Sequence, residues 1–174
     1  MSSEMPTVKE ILFWDLEREL AVTRRVLERL PEEKFSWKPH EKSMHLGRLA
    51  MHVATLPEWI RNSIAEDGLD AATMPPMKVE AKDRKDLLEE FDKNAANLRE
   101  AVAKFDVNGI GKTWTMRNGQ HVMTSKPRIQ IYRTWCLNHL VHHRGQLCVY
   151  LRLLNVPVPA VYFNSADEPD WKFE

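Results

Sequence analysis

The chain has little from which to build the common nucleotide and nucleophile sites. Only 6 of its 174 residues are glycine, and they form no Gly-rich phosphate loop and no Gly-x-Ser-x-Gly elbow. There is no Cys-x-x-Cys pair and no internal repeat, so the enzyme classes built on those motifs lose their main sequence support. Neither sign of charge is in excess: 25 Lys and Arg face 25 Asp and Glu. Nothing here neutralises a phosphate backbone or holds an anionic membrane surface at long range. No apolar run approaches the roughly 18 residues of a membrane span, and Met1–Pro6 lacks a basic segment followed by an apolar one. These absences predict a cytoplasmic protein that binds neither nucleic acid nor membrane.

Cysteine is equally scarce. Cys136 and Cys148 are the only two, in keeping with a reducing compartment. On one helix they would stand about 18 Å apart along the axis, whereas a disulfide needs Cα atoms within about 7 Å. Cys136 lies three residues before His139 and within reach of the same metal as a thiolate, but a buried free thiol is the commoner fate.

What is abundant is helical periodicity. A length of 174 residues suits a single domain spanning 1–174, with a core that needs no metal or disulfide to fold. Thr7-Val8-Lys9-Glu10 has the form of a capping box, and Ile11, Leu12, Leu16, Leu20, Val26, Leu27 and Leu30 follow as one apolar stripe ending at Pro31. Ser43 reads as the N-cap of a second helix bearing Leu46, Leu49, Val53, Leu56, Ile60 and Ile64, with Gly68 at its end. Residues 70–82 read as an extended linker with apolar anchors. A third helix from about Asp83 to Phe105 carries Leu87, Leu88, Phe91, Leu98 and Val102 on one face and charge on the other. Residues 112–124 then switch period and read as two short strands joined at Asn118-Gly119. The last helix starts near Pro127, tolerated in a first turn, and runs about 40 Å to Leu154 as the longest element. The fold class is all-α: a four-helix bundle with a small β-hairpin before the last helix.

Bundles build metal sites from side chains on facing helices. On the last helix His139 and His143 are one turn apart, so both imidazoles occupy one face and can meet at one ion. They fall on a stripe with Tyr132, Cys136, Leu147, Tyr150 and Leu154, which points them to the bundle interior or its mouth. The same spacing also occurs where histidines are hydrogen-bonded core residues, and the pair alone does not separate the two readings. His142, three residues from His139, satisfies the spacing as well as His143 does. The second helix offers His45 and His52, about 10 Å apart axially, so both cannot reach one ion. His52, flanked by Leu49, Val53 and Leu56, is the better placed; His45 in the first turn reads as a surface or cap residue.

At these residues the chain resembles the DinB/YfiT-like superfamily of metal-dependent four-helix bundles. The resemblance rests on Leu46 to Ala54 around His52 with Trp59 downstream, and on His139-Leu140-Val141-His142-His143-Arg144-Gly145-Gln146-Leu147. It extends over nearly the whole chain, including Trp37-Lys38-Pro39 and the closing Pro157–Tyr162 and Ser165–Glu168. It implies a three-histidine site of His52, His139 and His143 for a divalent metal with open coordination positions. The residue before Arg-Gly-Gln is the ligand, which selects His143 over His142. Three imidazoles suit zinc or nickel, then iron or copper.

Characterised relatives include low-molecular-weight-thiol S-transferases and a thiol-dependent isomerase. The resemblance therefore implies metal-dependent transfer of a small thiol to an electrophile, in detoxification or stress response, by a homodimer. A non-enzymatic metal- or ligand-binding bundle acting as a stress-response interaction module is the alternative; vestigial histidines without metal are the third. No catalytic base or thiol-gripping residue stands out. Arg144 more often covers apolar surface or pairs with a carboxylate than it steers a substrate. Trp59 and Tyr162 are candidates for lining a pocket, and Asp167 and Glu168 for a ligand or base, although terminal acids are mostly solvated.

Overall fold

The structure, a computed structural model, describes residues 5–170. Its helices are α1 (Val8–Phe13), α2 (Leu16–Glu28), α3 (Leu46–Ala65), α4 (Arg84–Lys104), α5 (Arg128–Gln130) and α6 (Asn138–Leu153), with a π-helix at Ile131–Leu137 between the last two. α1 with α2, then α3, α4 and the α5–π–α6 run form a four-helix bundle. Its core is Leu20, Leu27, Leu49, Val53, Leu56, Leu87, Phe91, Leu98, Leu140, Leu147 and Leu151, all at most 1 % exposed.

Local chemistry explains the helix starts. The Thr7 side chain accepts from the Glu10 N–H at 3.2 Å while the Glu10 carboxylate accepts from the Thr7 N–H at 2.7 Å, the reciprocal capping box that the sequence suggests. Asp83 caps α4 through the Asp86 N–H at 2.7 Å. α3 is capped by His45 rather than Ser43: its Nδ1 accepts from the Arg48 N–H at 3.3 Å and its other ring nitrogen meets Glu80 at 3.1 Å. The start shifts because Leu46 and Gly47 donate their N–H groups to Trp37 and Phe35, folding the 31–45 connection against the helix end. A Cβ on Gly47 would come 3.0 Å from that of Phe35.

The first helix is interrupted at Trp14 and Asp15, although both keep right-handed helical dihedrals. Asp15 is drawn into an ion pair with Arg133 at 3.0 Å. Ile11, expected in the inward stripe, is 56 % exposed, and Phe13 takes its place against Phe105 and Tyr132. The last helix is likewise not one α-helix. Pro127 ends a strand, and the π segment divides the run, so that α4, at 21 residues, is the longest regular helix.

The hairpin is real but larger than expected. β2 (Thr113–Asn118) pairs antiparallel with β3 (His121–Pro127) through a Gly119-Gln120 turn in which Gly119 takes φ +59°. A third strand, β1 (Gly68–Asp70), adds to β2 in parallel. Gly68 is therefore not a helix terminator: it opens β1, where a Cβ would stand 2.4 Å from the Thr115 carbonyl oxygen. Trp114, 3 % exposed, fixes the sheet to the bundle by donating to the Asn62 carbonyl of α3. Arg128, also buried, ties the start of the last helical run to the end of α3 through Asp67 and the Glu66 carbonyl.

No helix among the described residues is long and apolar enough to cross a membrane.

Candidate metal centre

The α3 and α6 faces that pack together bring His52, His139 and His143 into one cluster. Sequence separations of 87 and 4 residues close to Nε2–Nε2 distances of 3.2 Å for His52 and His139 and 2.8 Å for His139 and His143. One donor nitrogen from each of the three lies within 4.8 Å of the others, and no other such group of His, Cys, Asp and Glu forms among the described residues. Nitrogens bound tetrahedrally at about 2.0–2.1 Å stand about 3.3 Å apart, so these separations suit ligands of a single ion.

The three rings are half-buried. The centre of the inward stripe of α6 is Leu140, Arg144, Leu147 and Leu151, and the histidines flank it at the bundle mouth. Burial is the main reason that all three imidazoles are held below their ordinary pKa. His52 is pushed down to about 4, with the other two rings and the Arg48 charge adding to burial. His139 and His143 are lowered by burial and then by neighbouring histidines. The cluster is therefore neutral near pH 7, which is the protonation state a metal ligand needs.

Hydrogen bonds behind the rings set the tautomers. The His143 Nδ1–H donates to the Gln146 amide oxygen at 2.7 Å, leaving its Nε2 lone pair facing the cluster. The Trp135 backbone favours the protonated ring of His139 against burial, and the His139 Nε2 faces both partner rings. Ring nitrogens 2.8 Å apart share either a proton or a cation, and three of them converging here offer one ion three donors. The donor set thus fits a divalent metal on its own chemistry. Trp135 belongs to the π segment just before His139, and such segments are frequent beside functional sites.

A cavity of about 360 Å³ opens over His52 and His139, floored by Arg48, Thr55 and Trp59 of α3 and walled by residues 77–79. Trp59 thus lines a pocket. The Trp135 side of the cluster also opens outward, past Asn138 and His142.

Other residues singled out from the sequence lie elsewhere. His142 is exposed, stands outside the cluster and meets the Gln146 amide nitrogen at 3.1 Å. His45 is the α3 cap. Cys136 is 4 % exposed, donates to the Trp59 carbonyl, and has its thiol pushed up to about 12 by burial; it is an inert core residue. Both cysteines are free. Arg144 pairs with buried Glu19, and Tyr162 joins that pair rather than the metal cluster. Asp167 holds Arg152 and the Val158 N–H, while Glu168 holds Arg25, Arg29 and the Ala160 N–H. These acids clasp the C-terminal segment to α2 and α6, away from the histidines. The sequence reading missed Arg48 and the role of Gln146, although each was signalled by spacing: Arg48 one turn before His52, Gln146 three residues after His143.

Structural comparison finds proteins of the same architecture. A DinB-like protein from Bacillus cereus is 22 % identical with a TM-score of 0.65, over 88 % of this chain and 97 % of that one. One from Bacillus subtilis is 17 % identical with a TM-score of 0.65, over 87 % and 96 %. A DinB family protein from Exiguobacterium sibiricum is 20 % identical with a TM-score of 0.59, over 90 % and 98 %. No functionally curated protein matches the chain. At these identities the likeness is one of fold. The DinB family model, however, matches residues 5–172, nearly the whole sequence, and the chain belongs to the DinB family.

Proposed function

We propose that this protein holds one divalent metal ion on His52, His139 and His143 and uses it to transfer a low-molecular-weight thiol to an electrophile. The observation that carries the reading is the convergence of three neutral imidazoles, with Nε2 atoms of His139 and His143 facing each other at 2.8 Å. A divalent cation supplies Lewis acidity there: it favours thiolate over thiol near neutral pH and polarises a substrate oxygen.

The chain's own residues supply the rest. Burial keeps the rings unprotonated, Gln146 orients His143, and Trp59 with Met77 gives an apolar flank for a substrate body. Three protein ligands leave coordination positions free for that substrate, the arrangement of a catalytic rather than a closed structural site. Zinc or nickel suits three imidazoles, with iron or copper next. Free Cys136 and Cys148 accord with a cytoplasmic setting in detoxification or stress response. A homodimer is supported by the exposed Trp135, Val149 and Leu153 along the last helical run.

Metal analysis of protein purified without a histidine tag is expected to give about one divalent ion per chain, lost in the His139→Ala/His143→Ala variant. Absence of metal, or undiminished metal in that variant, overturns the site. Metal-dependent turnover of a panel of small thiols with electrophilic acceptors tests the reaction; no turnover with metal present leaves a metal-binding interaction module.

A further inference from the structure

Resting on the metal reading above, we infer that the cavity over the histidines takes a substrate bearing a carboxylate, and that Arg48 is the residue that selects it. Arg48, His52, Thr55 and Trp59 follow at intervals of four, three and four residues, which places them on one face of α3. That face is the floor of the 360 Å³ cavity, and His139 reaches it from α6. The floor runs in order from a cation, through the candidate ligands, to an aromatic ring.

The cations of this cavity differ in a way that points to a ligand. Lys78, on the opposite wall, is neutralised by an ion pair with Asp86. The Arg48 side chain has no hydrogen bond and no ion pair among the described residues, although its charge acts on His52; its backbone N–H is engaged at the His45 cap. It is exposed, and its five donors remain open on the cavity side of the helix. Its planar fork matches both oxygens of a carboxylate. One helical turn, about 6 Å, separates it axially from His52, so a small molecule can reach both. Met77 and Trp59 then receive an apolar body rather than further charge.

Phenylpropionate and phenylpropanol, alike in body and different in charge, are titrated into the metal-loaded and the metal-stripped protein by calorimetry near neutral pH. In the metal-stripped form the acid is expected to bind about tenfold more tightly than the alcohol; in the metal-loaded form an open metal position adds to that preference. Arg48→Met should abolish the preference of the metal-stripped protein without changing the metal content of the loaded one, and Arg48→Lys should restore part of it. Mercaptopropionate against mercaptoethanol forms a second arm. Preference in the thiol pair assigns the carboxylate to the thiol substrate; preference in the phenyl pair alone assigns it to the electrophile. The inference is overturned if neither pair shows a preference in the metal-stripped protein, or if Arg48→Met keeps it there. Because the metal-stripped protein is measured alongside, failure of the metal site and failure of the Arg48 assignment give different results.

Discussion

His143 and Arg144 are neighbours in sequence, yet they face opposite chemical situations. A step of about 100° around the helix separates them. Arg144 is 1 % exposed and fully engaged: it pairs with Glu19 at 2.6 Å and donates to the Glu19 carbonyl, the Thr23 hydroxyl and the Tyr162 hydroxyl. Tyr162 in turn donates to Glu19 at 3.2 Å. His143 is half-buried and turns its Nε2 lone pair toward the ring nitrogen of His139. A buried polar group with every bond satisfied holds a structure together; three half-buried imidazoles converging on one point at the surface are a place for a ligand.

Breaking the satisfied side should have the largest effect. Arg144→Met strands the Glu19 carboxylate in the core and is expected to cost about 3–5 kcal/mol in urea unfolding, with much of the loss recovered when Glu19→Leu is added. A single-variant cost below about 1 kcal/mol would remove the distinction between the two flanks.

On the other flank, Gln146→Leu leaves the three ligands in place but releases the His143 ring. Metal affinity should fall about 10- to 100-fold by competition with a chelating dye. Stability of the metal-free protein should move by no more than about 0.5 kcal/mol. A large loss of stability with unchanged affinity would make Gln146 a fold residue.

The smallest effect expected is in pH. His52 has its folded pKa lowered from 6.5 to about 4 by burial, so between those values the unfolded chain binds the proton and the folded one does not. Stability of the metal-free protein therefore rises with pH across that window and falls as pH drops from about 6.5 toward 4. The partial exposure of the ring makes this loss modest. Thermal melts should show the slope reduced in His52→Leu; an unchanged slope would place the titration elsewhere.

The parts legible in the sequence were those governed by near neighbours. The capping box at Thr7 and Glu10 and the Asn118-Gly119 hairpin signal both close within a few residues, and both appear. The π segment escaped because the apolar spacing that marks it also reads as α-helix. β1 escaped because three residues ending a helix carry no strand signal; they become a strand only by pairing with Thr115–Arg117, nearly fifty residues later. The Ile11 error has a similar source, since period places a residue on a face without saying whether another helix covers it. His139 and His143 were visible as a pair by spacing, and His52 was preferred to His45 by its place in the helix, whereas the choice of His143 over His142 and the three-ligand set came through resemblance.

By itself the sequence determined that this chain makes four helical runs and a hairpin, and that two of its histidines share a helix face. Backbone propensity and side-chain period are local, and they act before the chain is compact. Only the tertiary structure decided that His52 meets His139 across 87 residues, that Glu19 neutralises Arg144 across 125, and that Arg48 is left without a partner beside the cluster. Those outcomes depend on which faces pack and what each excludes from water, and burial of that kind exists only once the helices have met.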